Sequence, residues 1–232
     1  MRTNEIVLLA FALALATPEP TAAQTRSPAP VAQVSARTQP TERRDDWQRA
    51  PDIFAALGVT TGSRVADLGA GQGWLTTRLA KAVGPTGRVF ASDIDQNALR
   101  SLAETLVNDS LRNVELVLAE DDDPRLPFES LDGVVIVNAY HEMTKRVSVL
   151  DGIKRALRPG GKLVIVENTP HDTTFVTRKQ QTSHHVLAID FVRDDLEAQG
   201  FEILLVNPKF IERKDSDHTH RQWMLVARVQ GK

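Results

Sequence analysis

Cysteine is absent from all 232 residues, so neither a disulfide framework nor a lipid-bearing thiol is available to this chain. That absence is compatible with an oxidising compartment. No charge of one sign dominates: 28 Lys and Arg stand against 30 Asp and Glu, a formal net charge of -2. A nucleic-acid partner would ordinarily leave a basic excess, and none is expected here. Nor is there an apolar run long enough to cross a bilayer. The run from Ile6 to Ala16 falls well short of the roughly 20 residues that a spanning helix needs.

That run has Arg2 ahead of it and small residues behind it, the form of a secretory signal, with Thr21 and Ala23 placed for cleavage before Gln24. Residues 1–23 are therefore expected to be an export signal. The mature chain is then periplasmic or secreted, with no integral membrane span. An N-terminal helix of the fold, or an uncleaved anchor, is the competing reading. From Thr17 to about Pro40 the chain is Pro, Ala, Thr, Ser and Gln with few large apolar groups. Such a segment cannot bury enough surface to offset its ordering entropy, so 24–42 is expected to be a flexible linker and 43–232 the folded domain.

The hydrophobic content of 41% is enough for one well-packed domain. Trp47, Ala50, Phe54 and Leu57 recur at helical spacing before Gly58, which predicts a helix over the edge of the domain. Strands and helices then alternate. The apolar runs RVADLG, GRVFASD, VELVLAE, GVVIVNAY and KLVIVEN are separated by helical segments such as WLTTRLAKAVG and QNALRSLAETLV. The helix in KRVSVLDGIKRALRPGG ends at a Pro-Gly-Gly turn. Near-continuous apolar strands with intervening helices imply a parallel sheet covered on both faces. After AIDFVRDDLEAQG, the runs FEILLVNPKF and QWMLVARV follow without a crossover helix, so they are expected to pair antiparallel.

The stretch VADLGAGQGWL, from Val65 to Leu75, places a glycine-rich turn between the first strand and its helix. Several nucleotide folds use such a turn, and its details decide among them. In the dinucleotide fingerprint the third glycine permits close helix-strand packing; the equivalent position here is Trp74. Asp67 would repel a diphosphate at close range but attract an ammonium. The loop therefore suits a cationic ligand with an amino-acid head. A turn with no ligand would not require three glycines and their entropic cost. Asp93, at the end of the second strand, is placed to accept from both ribose hydroxyls of a nucleoside, with Asp95 ranked second. One of Glu120, Asp121 or Asp122 in AEDDDPRLPF could meet an adenine amino group; a solvated acidic loop accounts for the others.

At this point VADLGAGQGWL, RVFASDID, LPFESLDGVVIVNAYHEM and ALRPGGKLVIVEN resemble, in order and spacing, the motifs of class I S-adenosylmethionine (SAM) methyltransferases. The resemblance runs from about Trp47 to the C-terminus. It implies an α/β, Rossmann-like fold with a doubly wound, seven-stranded, mostly parallel sheet of order 3-2-1-4-5-7-6, the last strand antiparallel. It also implies SAM as cofactor across the carboxyl ends of the first strands. Asp67, Gly69, Gly71 and Gly73 would surround its methionine part, Asp93 its ribose and Glu120 or Asp121 its adenine. Asn138 would face the methyl group. NAYH lacks the Pro-Pro-aromatic sequence of nucleic-acid amino methyltransferases, which counts against a DNA or RNA amino group as acceptor; a small-molecule acceptor is expected. VNAYHEMTKRVSVLDGIKRALRPGGKLVIVEN is further similar to small-molecule O-methyltransferases, which implies His141 as general base, assisted by Glu142 or Glu167.

Methyl transfer is an in-line displacement for which the protein supplies alignment and, for a hydroxyl acceptor, a proton acceptor such as histidine. A purely structural His141, holding its loop by hydrogen bonds, is the alternative to that role. Tyr140 would stack on the acceptor or close the core, and Trp223 would pack in the last strand. His184 and His185 would line the acceptor pocket; adjacent histidines project differently, so they are not expected to share a metal. His218 and His220 have a better spacing, but in a hydrophilic loop without cysteine no metal site is expected. Two other functions compete with a methyltransferase: a non-catalytic SAM-binding exported protein, and an NAD-dependent oxidoreductase that Trp74 and Asp67 disfavour.

Overall fold

The computed structural model describes residues 41–171, 173–214 and 219–231, and only the backbone of 41–43. The expected export signal, nearly all of the expected linker and His218 lie outside the described residues. Two short helices open the described chain, α1 (Thr41–Trp47) and α2 (Ala50–Leu57). They replace the single helix expected through Trp47. Arg49 between them takes a left-handed conformation, φ 54°, which ends one helix before Pro51 starts the next. The buried face of α2 is consequently Ala50, Ile53 and Leu57, not the stripe through Phe54. Gly58 closes α2 as expected, at φ 82°, donating its N–H to the carbonyls of Phe54 and Ala55.

The strands are β1 (Arg64–Leu68), β2 (Arg88–Asp93), β3 (Val114–Leu118), β4 (Leu131–Val137), β5 (Leu157–Asn168), β6 (Phe201–Lys214) and β7 (Thr219–Val229). The longer helices are α3 (Trp74–Val83), α4 (Gln96–Asn108), α5 (Arg146–Ala156) and α7 (Ile189–Ala198), with a five-residue α6 (Arg178–Thr182). One seven-stranded sheet forms, in the order β3-β2-β1-β4-β5-β7-β6. The first five strands pair parallel, and β7 runs antiparallel to both β5 and β6. This is the α/β architecture read from the sequence. The Pro-Gly-Gly segment does not stand apart as a turn: it enters β5, whose register against β4 shifts between Leu131 and Gly133.

Alternation along each parallel strand divides the core into two layers. Ala66, Val134, Ile136, Leu163 and Ile165 face α5 and α7, which contribute Leu150, Ile153, Val192 and Leu196. Val65, Val89, Val135 and Val164 face α2 and α3, which contribute Ile53, Leu57, Leu75 and Leu79. So α2 lies over the middle of the sheet, not its edge. A Cβ on Gly133 of β4 would come within 2.5 Å of Leu57 Cδ1, and only glycine allows that approach.

Trp223 of β7 is fully buried in the α5–α7 layer, and its indole N–H donates to the Leu187 carbonyl at 2.7 Å. Removing such a side chain loses its transfer free energy, leaves a cavity and orphans a carbonyl. Trp223→Ala is expected to lower stability by about 3–5 kcal/mol in reversible urea unfolding; a loss below about 1 kcal/mol would contradict this packing.

Candidate functional site: the cleft at the carboxyl ends of β1 and β4

Between β1 and β4 the chain leaves the sheet in opposite directions, and in open α/β sheets a crevice opens at such a switch point. Here the crevice is two adjoining cavities of about 1010 and 420 Å³, both lined by Gly69, Gly71 and Asn138. Asp67, Trp74, Arg44 and Trp47 line the larger. Asp93, Asp95, Glu120, Asp121 and Glu142 line the smaller.

The loop after β1 needs its glycines for separate reasons. Gly69, at φ 75°, passes so close to the loop after β4 that a Cβ would lie 2.4 Å from the Ala139 Cβ. Gly73, at φ 83°, precedes α3 and would drive a Cβ into Leu102 of α4 at 2.1 Å. Gly71 faces open space and donates its N–H to Asp93 Oδ2 at 2.7 Å, fixing the loop to the end of β2. Asp67 lies beneath the loop, 3% exposed, accepting from Thr76 Oγ1 at 2.6 Å. Burial pushes its pKa up to about 6, against the Thr76 hydrogen bond and the charge of Arg44, which favour the carboxylate.

Asp93 Oδ1 also accepts from the Asp95 N–H at 2.8 Å, so each oxygen keeps one further acceptor site. Asp95 is instead the N-cap of α4, accepting from Asn97 N–H at 2.8 Å. Of the acidic loop, Glu120 and Asp121 reach the smaller cavity, and Glu120 pairs with Arg125. Asn138 follows β4 at φ 55°, strained for a non-glycine residue. Its Oδ1 accepts from Gln222 Nε2 at 3.1 Å, and Gln222 Oε1 accepts from the buried Gln48 at 2.7 Å.

Beside this cleft, His141 is held in a single 3-10 turn, Tyr140–Glu142. Its Nδ1 lies 2.9 Å from Glu167 Oε2, and its backbone N–H donates to Glu167 Oε1 at 3.1 Å. Glu167, at the end of β5, is wholly buried. Burial pushes the His141 imidazolium down, but the Glu167 hydrogen bond and charge, with Glu142 adding to them, hold its pKa above the ordinary histidine value. His141 and Glu142 line a third cavity of about 580 Å³, and Glu142, Met143 and Thr144 line both this and the smaller cavity of the cleft. Tyr140 takes no part: it is buried, its hydroxyl donates to Asp195 Oδ2 at 3.0 Å, and it closes the core.

The two adjacent histidines diverge. His184 stacks on Phe175, centroids 4.3 Å apart, whereas His185 turns to His141, Nδ1 to Nε2 3.2 Å. The sequence reading missed α6, although Thr177 and Gln180 form its capping box and that spacing is a legible start signal. It also missed Arg44, Trp47, Gln48 and Gln222, whose place at the cleft depends on contacts between distant segments.

Residues 65–161 match the family model described as a methyltransferase domain. The chain has the fold of class I SAM-dependent methyltransferases, with the methyltransferase-domain match confined to residues 65–161. Over 122 residues it is 33% identical to the ubiquinone/menaquinone biosynthesis C-methyltransferase UbiE of Pseudomonas fluorescens (strain SBW25), covering 52% of this chain and 47% of that one. The chain thus matches about half the length of that curated relative. Among solved structures, a SAM-dependent methyltransferase from Aquifex aeolicus superposes with TM-score 0.66 at 21% identity, covering 80% of this chain and 92% of that one. The glycopeptide N-methyltransferase MtfA, in complex with SAM, gives TM-score 0.60 at 18% identity, over 78% and 87%. These two likenesses establish the fold.

In this fold the charge on Asp67 works against folding. Between the unfolded value near 3.8 and the folded value of about 6, the folded chain holds a proton that the unfolded chain releases. Stability therefore falls as pH rises through that window, by about 3 kcal/mol in all. Asp67→Asn keeps an acceptor for Thr76 and removes the charge. The ligand-free variant is expected to melt higher than the parent at pH 8, with the difference gone near pH 4, by scanning calorimetry.

Proposed function

We propose that the protein transfers a methyl group from SAM to a small-molecule acceptor bearing an ionisable hydroxyl. The observation that carries this reading is the buried Asp67 carboxylate beneath a glycine loop that is tied to Asp93. A carboxylate kept dry at a stability cost is explained by a cationic ligand group that pairs with it. The cleft fits the cofactor in parts: Asp67 and the backbone of Gly69, Gly71 and Gly73 toward its amino-acid end, Asp93 toward the ribose, Glu120 or Asp121 toward the adenine. Asn138, lining both cavities, lies where those parts meet. The same arrangement disfavours a dinucleotide, because Asp67 would face its diphosphate and the bulk of Trp74 stands where helix and strand would have to close up.

When bound, SAM supplies a methyl group activated by its sulfonium. The chain's own work is alignment of the acceptor and removal of its proton. We place that removal at the cluster of His141, Glu142 and Glu167, beside the cavity adjoining the cofactor cleft. Loss of a proton from a phenol makes both its oxygen and its ring carbons nucleophilic. Transfer to oxygen is the reading from the sequence; the name of the Pseudomonas relative favours carbon. Export remains our reading of residues 1–23.

Calorimetry on the purified chain is expected to show binding of SAM and of S-adenosylhomocysteine, and none of NAD. Heat from NAD alone would overturn the reading. Asp93→Ala should weaken S-adenosylhomocysteine at least tenfold, since it removes both the ribose acceptor and the anchor of Gly71. Affinity in the parent should fall as pH drops through about 6, where Asp67 takes up its proton; Asp67→Asn should bind weakly and without that dependence. Incubation with phenolic acceptors and SAM carrying a labelled methyl group should yield a labelled product, and its spectrum assigns the methyl to carbon or oxygen.

A further inference from the structure

We propose that His141, Glu142 and His185 form a binding site for a zinc-class divalent cation at the edge of the cofactor cleft. Their donor atoms face one another: His141 Nε2 lies 3.2 Å from His185 Nδ1 and 3.5 Å from Glu142 Oε1. His185 Nδ1 lies 3.8 Å from the same Glu142 oxygen. Tetrahedral zinc with bonds of about 2.0–2.1 Å separates its ligands by about 3.3–3.4 Å. The three measured edges bracket that spacing. Two imidazoles and a carboxylate are the donor set of open zinc sites, in which the fourth position is left to water or substrate.

The surroundings supply a second, independent argument. A histidine that binds a metal through one ring nitrogen ordinarily gives its other N–H to a carboxylate, which fixes the tautomer. Glu167 does this for His141: it is fully buried, 2.9 Å from Nδ1, and itself held by the His141 backbone N–H. The lone pair is thereby left on Nε2, pointing at His185. His185 is held there in the left-handed region, φ 54°, with its carbonyl accepting from Asn168 Nδ2 at 3.2 Å. The two rings meet edge to face, 84° between planes. A plain hydrogen bond between the histidines would explain their contact but not the third donor.

The site goes beyond the proposed function, and one part of it rests on that reading: with an ion on Nε2, His141 serves as ligand and no longer takes the acceptor's proton. An acceptor oxygen in the open position, beside the cofactor cleft because Glu142 lines both cavities, would have its pKa lowered by the ion and lose its proton to solvent. The chelator-stripped full chain is to be titrated with Co²⁺ alone and with Zn²⁺ alone, by calorimetry and by the visible absorption of tetrahedral cobalt. One ion per chain with tetrahedral cobalt bands is expected. His185→Ala, at an exposed side chain, should weaken binding at least tenfold, as should His141→Ala. Glu167→Gln should weaken it about tenfold through the tautomer. His184→Ala should leave it unchanged. S-adenosylhomocysteine affinity, read on the same samples, reports that the fold and the cofactor cleft persist and separates a failure of this site from a failure of the methyl-transfer reading. No binding by the parent, binding that survives both His141→Ala and His185→Ala, or binding lost in His184→Ala overturns the assignment.

Discussion

Gly69 and Ala139 come from loops that leave the sheet after β1 and β4, and they touch where no additional methyl group would fit. On that contact depends the shape of everything above the sheet. It brings the two loops together at the switch point, so that one crevice has two lobes with a common floor of Gly69, Gly71 and Asn138. Next to it Asn138 takes a left-handed backbone, and its side chain is held from the far side by Gln222, which the buried Gln48 holds in turn. Close packing of this kind leaves discrete arrangements, not a continuum.

The electrostatics follow the same geometry. One lobe ends on a buried carboxylate whose pKa is raised, which weakens the ligand-free fold and favours a cation. The other lobe is rimmed by carboxylates at the surface, where water screens them. Beyond the rim, His141 is governed by a buried partner, Glu167, from the end of β5. Acidic residues at the ends of β1, β2 and β5 thus take different tasks because their partners differ: Thr76 for Asp67, the Gly71 and Asp95 N–H groups for Asp93, and His141 for Glu167.

Much of the fold was legible in the sequence because apolar strands and amphipathic helices alternate without interruption, and the period of each run differs. The break at Arg49 was not, because nothing in its chemistry announces a left-handed residue between two helical segments. The acids lining the smaller cavity were only partly resolved. The sequence ranked Asp93 ahead of Asp95 only by its place at the strand end; in the structure both line the smaller cavity, and Asp95 is the one engaged in capping α4. Of the four acids after β3, the path of the loop decides that Glu120 and Asp121 line the cavity.

By itself the sequence determined the order of strands and helices, the tight turn after β1 and the acid beneath it, since these are local: hydrophobic period, glycine torsions and charge act over a few residues. Tertiary structure alone decided which of two adjacent histidines meets His141, which glutamine holds Asn138, and that α2 lies over the sheet's centre. His141 and His185 stand 44 residues apart, and their meeting depends on how α6 and its flanking loops pack, a long-range outcome that no local pattern encodes.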